Sequence, residues 1–208
     1  MSAAAETEGT TRTRLVAAMA DSLQRRGFHG VGIAELLELA SAPKGVLYHH
    51  FPGGKTELAV AAIQAAVGSL TRGLARLHVE HGEPAAVLRA WFAHSQRRLE
   101  KSGFECGCPL ATVALESGPQ DEALRRTLAA GFDEVRGCLA DMLARAGVAP
   151  ATARRLALLV VSSYEGALLQ ARVAGSVKPV ADTAAMLVEL VGEEVAAARA
   201  APAAPRGG

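Results

Sequence analysis

Hydrophobic residues recur every three or four positions along most of this chain, the spacing that gathers apolar side chains on one face of a helix. Prolines and glycines interrupt the pattern and mark where one helix ends and the next begins. No segment alternates between apolar and polar residues as a β-strand would. The pattern predicts an all-α chain with helices at about 10–27, 33–40, 43–51, 55–82, 84–101, 109–117, 120–146, 150–174 and 179–199.

The second and third of these helices form the most distinctive part of the pattern. The first of the pair carries one apolar stripe, made of Ile33, Leu36, Leu37 and Ala40. The stretch Ser41-Ala42-Pro43 then breaks the helix, because proline lacks an N–H and disfavours helix at the residue before it. Proline is also well placed to open a helix, so the chain is predicted to turn sharply and restart at Pro43.

The restarted helix has two different faces. Leu47, His50 and Phe51 are spaced to face the preceding helix. The outer face would carry cationic, aromatic and small residues, namely Lys44, Gly45, Tyr48 and His49. Such a helix suits the major groove of DNA, with phosphates on both sides. From the spacing alone, an ordinary helical hairpin with a solvated polar face is the more common arrangement.

A family resemblance favours the DNA interpretation. The run from Ser41 to Phe51, followed by Pro52-Gly53-Gly54-Lys55-Thr56-Glu57-Leu58, resembles the helix-turn-helix signature of the TetR family of bacterial transcriptional repressors. It is most similar to the branch with a Pro-Gly-Gly-Lys connection, which includes regulators of multidrug-resistance genes. Two residues depart from the family pattern: Ser41 stands where many members have glycine, and Val46 where many have a hydroxyl residue that contacts phosphate.

The resemblance implies a ligand-responsive repressor that binds a palindromic operator as a homodimer and is released by a small hydrophobic effector. It implies an N-terminal three-helix helix-turn-helix DNA-binding domain and a larger C-terminal helical domain for ligand binding and dimerisation. Lys55 would add a phosphate clamp at the start of a helix, where backbone N–H groups attract anions. The predicted DNA-binding residues are Pro43, Lys44, Gly45, Val46, Tyr48, His49 and Lys55.

The 208 residues divide by composition into four segments. Residues 1–9 and 200–208 are predicted to be disordered, residues 10–54 to form the DNA-binding domain and residues 55–199 the larger helical domain. No run of about 18 consecutive apolar residues and no secretory signal is visible, so a cytoplasmic protein without a membrane partner is expected. Three cysteines do not form a disulfide framework, which also fits a reducing compartment.

Net charge does not distinguish a DNA-binding protein from other classes, and no catalytic motif is found. The net charge is +1, and residues 1–60 hold six arginines and lysines against six acidic residues, so the case for DNA depends on where the charges lie. No glycine-rich phosphate loop, metalloprotease motif or nucleophile elbow occurs. The protein is therefore not expected to be an enzyme, and no cofactor or metal is predicted.

The last two predicted helices carry wide stripes of small and aliphatic residues, among them Leu156, Val160 and Leu168, then Leu187, Leu190 and Val195. Stripes this wide need two partners, so one surface could pack on the domain and the other on a second copy in a four-helix interface. Periodicity alone equally permits an internal core. The dimer is favoured because a two-fold axis lets two recognition helices reach successive major grooves.

Aromatic residues are only 4% of the chain, yet several fall in the middle helices. A pocket for a flat apolar ligand needs such side chains with a few polar groups. Core filling is the alternative for each one. The predicted ligand-binding residues are Trp91, Phe92, Ser95, Phe104, Cys108, Phe132 and Tyr164, with His94, Met142 and Gln170 as further candidates.

Cys106 and Cys108 leave other hypotheses open. With His94 or Glu105 they could bind a metal, and as a pair they could act as a thiol switch, since thiolates are both ligands and nucleophiles. A structural or pocket-lining role is favoured, because only one residue separates the two and Cys138 lies on a helix face like a small hydrophobe. A helical enzyme using Cys108 and His94 would leave the motif at residues 33–51 unexplained.

Overall fold

The computed structural model describes the backbone of residues 3–200 and the side chains of residues 10–200. Within that part of the chain every regular element is a helix, which confirms the predicted all-α class. The helices are α1 Ala3–Arg26, α2 Ile33–Leu39, α3 Val46–His50, α4 Gly54–His81, α5 Pro84–Lys101, α6 Pro109–Glu116, α7 Glu122–Arg145, α8 Pro150–Ala174 and α9 Lys178–Ala200.

Most helix ends lie where proline and glycine predicted them. Proline stands in the first turn of α5, α6 and α8, where its missing N–H would have no helical partner. Gly175 ends α8 in the left-handed conformation, with φ of 58°. One end was wrongly predicted: α1 begins at Ala3 and not at Thr10 or Thr11. The segments 1–9 and 200–208, predicted to be disordered, lie outside the described side chains except for Ala200, which ends α9.

The chain folds into two compact units. The first holds α1 to α3, α4 as far as Ser69, α6, and α7 as far as Asp133. The second holds the rest of α4 and α7 with α5, α8 and α9. This arrangement differs from the predicted boundary between residues 54 and 55, because α6 packs against α1 and because α4 and α7 each run through both units.

The core of the first unit is built on α1. Helix α1 packs against α2 and α6. Apolar side chains of α1, α2, α3 and the first half of α4, together with the Phe51 that follows α3, are almost completely shielded from solvent: Leu15, Met19, Leu23, Leu36, Leu47, Phe51, Leu58 and Ile63. Burial of each such side chain stabilises the fold by about 1.5–3 kcal/mol relative to exposure. This core fixes the short helix α3, whose five residues could not hold a helix alone.

The core of the second unit lies between α5, α8 and α9. Helix α9 packs against both α5 and α8. Small residues on α8, Ala153, Ala157 and Ala171, are fully buried and let neighbouring backbones approach closely. The larger core side chains of this unit include Leu88, Phe92, Leu99, Val160 and Val191.

Two helices are apolar enough to raise the question of a membrane. By length and composition, α4 and α8 could span one, with mean hydropathies of 1.4 and 1.2 over their most apolar segments. The core helices of soluble proteins have the same composition. In the structure these residues are used for packing: Leu58, Ala59 and Ile63 of α4 are fully buried in the first unit, and Ala157 of α8 in the second.

Candidate nucleic-acid interface

The turn between α2 and α3 sets the position of the third helix. The amides of Ser41 and Ala42 donate to the carbonyls of Glu38 and Leu37 at 2.9 and 2.8 Å, which closes α2. Ser41 adopts a left-handed φ of 48°, a conformation that costs a residue with a side chain about 1–2 kcal/mol. Glycine at this position would avoid that cost.

The prediction that α3 opens at Pro43 is wrong, because the helix begins three residues later at Val46. Gly45 is its N-cap and has a left-handed φ of 89°, which no helix can continue through. Pro43, Lys44 and Gly45 therefore form an exposed loop that leads into the helix, and Val46 is half-buried at its first turn.

Helix α3 has the two faces that the spacing predicted. Leu47 and the following Phe51 are 1% and 0% exposed, so they anchor the helix in the core. Tyr48 is 57% exposed and His49 is also exposed. His50 was predicted to face inward but is only half-buried, with its ring edge-on to that of His49 at a centroid distance of 5.1 Å.

Arg14 of α1 supports the turn, a contact that sequence reasoning did not predict. Its Nε donates to the carbonyl of Ala40 at 2.9 Å, and its Nη2 lies 3.5 Å from the carbonyl of Ser41. The same Nη2 donates to the Thr11 hydroxyl at 3.2 Å. A guanidinium with several donors in a fixed plane suits carbonyls left unpaired at a helix end.

Lys55 does not extend into solvent as the predicted phosphate clamp would. Its Nζ lies 4.5 Å from the centroid of the Phe28 ring, a cation–π contact. Burial lowers the pKa of Lys55, while the nearby negative charge of Glu116 acts in the opposite direction. The amide of Gly53, at the same helix start, already donates to the Glu57 carboxylate at 2.7 Å. A DNA phosphate would have to displace these contacts to be held by Lys55.

The segment 105–116 is attached to the end of α1. The Glu116 carboxylate accepts hydrogen bonds from the amides of Phe28 at 2.7 Å and His29 at 3.0 Å. The Gly107 amide donates to the carbonyl of Gln24 at 2.9 Å. Arg25 forms an ion pair with Glu105 at 2.7 Å. Sequence reasoning missed these contacts, because the partners lie about 80–90 residues apart.

Four of the predicted ligand-binding residues meet in the second unit. The ring of Tyr164 lies 4.6 Å from that of Trp91 and 5.5 Å from that of Phe92, centroid to centroid. The hydroxyl groups of Ser95 and Tyr164 form a hydrogen bond of 2.8 Å. Trp91, Phe92 and Ser95 are buried and Tyr164 half-buried, so these side chains pack on one another as an aromatic cluster.

The other three predicted ligand residues are placed differently. Phe104 follows α5 in the second unit with a left-handed φ of 66°, and its amide donates to the carbonyl of Leu99 at 2.9 Å. Cys108 and Phe132 are half-buried residues of the first unit. The predicted set is therefore divided between the two units, and the aromatic cluster is the part that the structure brings together.

The further candidates also lie in the second unit. Met142 is buried on α7. Gln170 is exposed and donates from Nε2 to the carbonyl of Gly166 at 3.3 Å. Partial burial and then the charges of Arg98, Arg97 and Arg76 lower the pKa of His94.

The cysteines are free thiols, all half-buried. Burial raises the pKa of the Cys138 thiol, which opposes thiolate formation. In the part of the chain that the structure describes, no group of three histidine, cysteine or acidic residues is arranged to hold a metal ion.

Two short helices joined by a tight turn, the second held in the core by one face and exposing aromatic and imidazole groups on the other, have the arrangement of a helix-turn-helix DNA-binding unit. Residues 15–62 match the family of bacterial regulatory proteins named tetR, and residues 84–186 match the LmrA/YxaF-like transcriptional regulator C-terminal domain. The chain belongs to the TetR family of transcriptional regulators. These regulators are not enzymes, as the sequence led us to expect.

Known proteins align with most of the chain. The uncharacterized HTH-type transcriptional regulator Rv0196 of Mycobacterium tuberculosis is 32% identical over 173 residues, which cover 81% of this chain and 87% of that protein. The HTH-type transcriptional regulator LmrA of Bacillus subtilis is 24% identical, with coverages of 88% and 97%.

Solved structures share the fold. The regulatory protein TetR from Rhodobacter sphaeroides superposes with a TM-score of 0.75 and 25% identity, covering 85% of this chain and 96% of that one. The reduced form of Escherichia coli NemR superposes with a TM-score of 0.72 and 25% identity, covering 85% and 94%.

Proposed function

We propose that the protein is a ligand-responsive repressor that binds a palindromic operator as a homodimer and is released by a small hydrophobic molecule. The observation that supports this most directly is the arrangement of α3, with Leu47 and Phe51 buried and Tyr48 and His49 exposed. Such a helix is fixed in the protein and free to enter a major groove. As a regulator of this kind, the protein would act in the cytoplasm.

The DNA contacts are assigned by exposure. Lys44 would bind phosphate, Tyr48 and His49 phosphate or base edges, and Val46 a thymine methyl group. Gly45 would let the backbone approach DNA closely, and Pro43 would stiffen the loop before it. Lys55 differs from the others, because its contact with Phe28 favours a supporting role within the protein.

The homodimer would form through an apolar surface of α8 and α9. Five of the exposed large hydrophobic side chains belong to these two helices: Leu158, Leu159, Leu169, Val173 and Met186. Burial of such a surface between two copies would stabilise a dimer, and a two-fold axis would place two α3 helices in major grooves about 34–36 Å apart. Leu187 is only 5% exposed within one chain, so it belongs to the core and not to this surface.

Aspartate substitutions can distinguish residues of the proposed dimer surface from residues of the core. Leu169→Asp would give folded monomers, because a charge cannot be buried unpaired in the interface. Leu187→Asp would instead unfold the second unit. Sedimentation and circular dichroism distinguish the two results. A folded Leu169→Asp variant that remains dimeric would exclude this surface.

The effector would bind at the aromatic cluster of Trp91, Phe92 and Tyr164. A flat apolar molecule can replace ring–ring contacts of this kind, with the Ser95 and Tyr164 hydroxyl groups as polar partners. Helix α4 begins directly after the α3–α4 turn and continues into the second unit, where α5 and α8 carry the cluster. A shift of α4 on ligand binding would change the position of α3 and weaken DNA binding.

A thiol-responsive regulator is the second candidate. The Gly107 amide between Cys106 and Cys108 is bonded to Gln24 of α1, so modification of either thiol would strain a contact of the DNA-binding unit. A hydrogen bond to Asp21 and then attraction to Cys106 raise the pKa of Arg25, so this guanidinium would attract a thiolate at Cys106. Oxidant-driven release of DNA that is lost in Cys106→Ser/Cys108→Ser would favour this candidate over the hydrophobic effector.

The experiment for the proposed function is selection of bound duplexes from a random-sequence library by the wild-type protein. An operator of the proposed kind would appear as an inverted repeat, and sedimentation would show two protomers on one duplex. Selection of asymmetric sites by a monomer would contradict the proposal. Selection of no sequence at all would remove specific DNA binding.

A further inference from the structure

The Glu116 carboxylate sits in a backbone cradle at the end of α1. It accepts both the Phe28 and the His29 amide, at 2.7 and 3.0 Å. Gly27 forms the floor of the cradle with a left-handed φ of 75°, and a Cβ atom at this position would collide with Glu116 Oε1. Successive N–H groups beside a left-handed residue form a concave anion site, and here the anion belongs to α6 of the same unit.

The cradle is connected to α3, the proposed recognition helix, through Phe28 and Lys55. The Phe28 ring, 8% exposed, lies beneath Lys55 Nζ at 4.5 Å. Lys55 is the second residue of α4, and the turn before it follows directly on α3. The negative charge of Glu116 also favours the charged form of Lys55. Three elements, the end of α6, the α1–α2 loop and the start of α4, therefore meet at one small cluster.

We propose that Glu116 is a positioning residue for DNA binding, which holds the α1–α2 loop and, through Phe28 and Lys55, fixes the start of α4 behind the recognition helix. Glu116 itself does not touch DNA in this role. The inference rests on DNA binding through α3 and does not depend on the effector proposed above.

The chain offers a matched control on the same segment. Glu105 pairs with Arg25 of α1 across a similar separation in sequence, but its side chain is 68% exposed. Exposed ion pairs contribute little to stability. Glu116 accepts two backbone amides, and removal of a charged acceptor leaves such donors unsatisfied. Only the loss of the Glu116 carboxylate should therefore disturb the recognition helix.

The test measures the affinity of Glu116→Ala, Glu116→Gln and Glu105→Ala for a duplex selected by the wild-type protein. Glu116→Ala should weaken binding about tenfold or more, with an unchanged salt dependence because no phosphate contact is lost. Glu116→Gln should lose less, since its amide oxygen can still accept a hydrogen bond. Glu105→Ala should stay within about twofold of wild type.

Coupling through Lys55 is tested by a double variant. Lys55→Met keeps the apolar stem over Phe28 and removes the charge. If Glu116 and Lys55 act through one cluster, their effects on affinity are not additive. Additive losses would show that Lys55 acts on DNA independently and would remove it from the positioning cluster.

Hydrogen exchange tests the proposal without any DNA. In Glu116→Ala the amides of Phe28, His29 and the α3 residues should exchange faster, while those of α8 and α9 keep the wild-type rate. Faster exchange confined to Phe28 and His29, with unchanged DNA affinity, would reduce Glu116 to a local cap and overturn the proposal. If the wild-type protein selects no duplex, the operator proposal fails, and the exchange rates of α3 alone decide the role of Glu116.

Discussion

The recognition helix and the aromatic cluster present their aromatic groups to opposite environments. Tyr48 of α3 is 57% exposed, and the opposite face of this helix is buried and holds it in place. Trp91 of the cluster is 5% exposed, and its neighbour Tyr164 is tied to Ser95 by a hydrogen bond of 2.8 Å. The first region is open to a partner as it stands, whereas a ligand at the second would have to displace packed side chains.

This difference fits the proposed division of tasks. A rigid exposed helix loses little entropy on binding DNA, since its conformation is already set. In a closed cluster, ring contacts and one hydrogen bond would have to be exchanged for ligand contacts, so ligand binding there would be linked to a change of structure.

Substitutions on the two faces of α3 should differ most in their effect on the stability of the protein. Phe51→Ala removes a completely buried ring and should lower the free energy of unfolding by about 3–5 kcal/mol. Tyr48→Ala, on the exposed face, should change it by less than about 0.5 kcal/mol. Urea denaturation gives both values. Equal losses would show that α3 does not have a free face.

The aromatic cluster should be sensitive to a single hydroxyl group. Tyr164→Phe leaves the Ser95 hydroxyl, 7% exposed, without its partner and should cost about 1–3 kcal/mol. Ser95→Ala in the same background removes the unpaired group and should restore part of the loss. Thermal unfolding followed by Trp91 fluorescence measures both. No loss in Tyr164→Phe would show that the hydrogen bond does not hold the cluster closed.

Substitutions of Lys44 and Lys55, the two lysines near α3, should have different effects on the salt dependence of DNA binding. Lys44→Ala should weaken DNA binding and flatten the plot of log affinity against log salt by about one unit. Lys55→Met should weaken binding with a smaller change of slope, because Lys55 Nζ is engaged with Phe28. If the slope falls by a full unit in both variants, Lys55 contacts a phosphate, as the sequence predicted.

The smallest effect is expected at the turn. Ser41→Gly should raise the free energy of unfolding by about 0.5–1 kcal/mol, because glycine adopts the left-handed φ of 48° without a side-chain clash. Chemical denaturation of the two proteins provides the measurement. A loss of stability would mean that contacts of the Ser41 side chain outweigh the backbone cost.

Local patterns predicted the helices and the character of α3 well. The prolines that open α5, α6 and α8 act within one turn of the chain, so their effect can be predicted from neighbouring residues alone. The start of α3 could not be predicted in the same way. It depends on the conformation of Gly45, and glycine permits many conformations.

Contacts between distant residues were beyond prediction. Lys55 looked like a free cation because Phe28 and Glu116 are remote in sequence, and nothing in the pattern placed them together. The cluster of Trp91 with Tyr164 was predicted only as a set of aromatic candidates, from which the fold selected some and placed Cys108 and Phe132 in the other unit.

Ligand binding at the cluster and DNA binding at α3 are proposed to oppose each other. Trp91, the only tryptophan, reports ligand binding when flat hydrophobic compounds are titrated with and without the selected duplex. Linkage requires the two effects to be equal. DNA must weaken ligand binding by the same factor by which the ligand weakens DNA binding, about 5–150-fold for ordinary coupling energies. We expect this reciprocal loss. Identical ligand affinity in both titrations, for a compound that binds at Trp91, would contradict it.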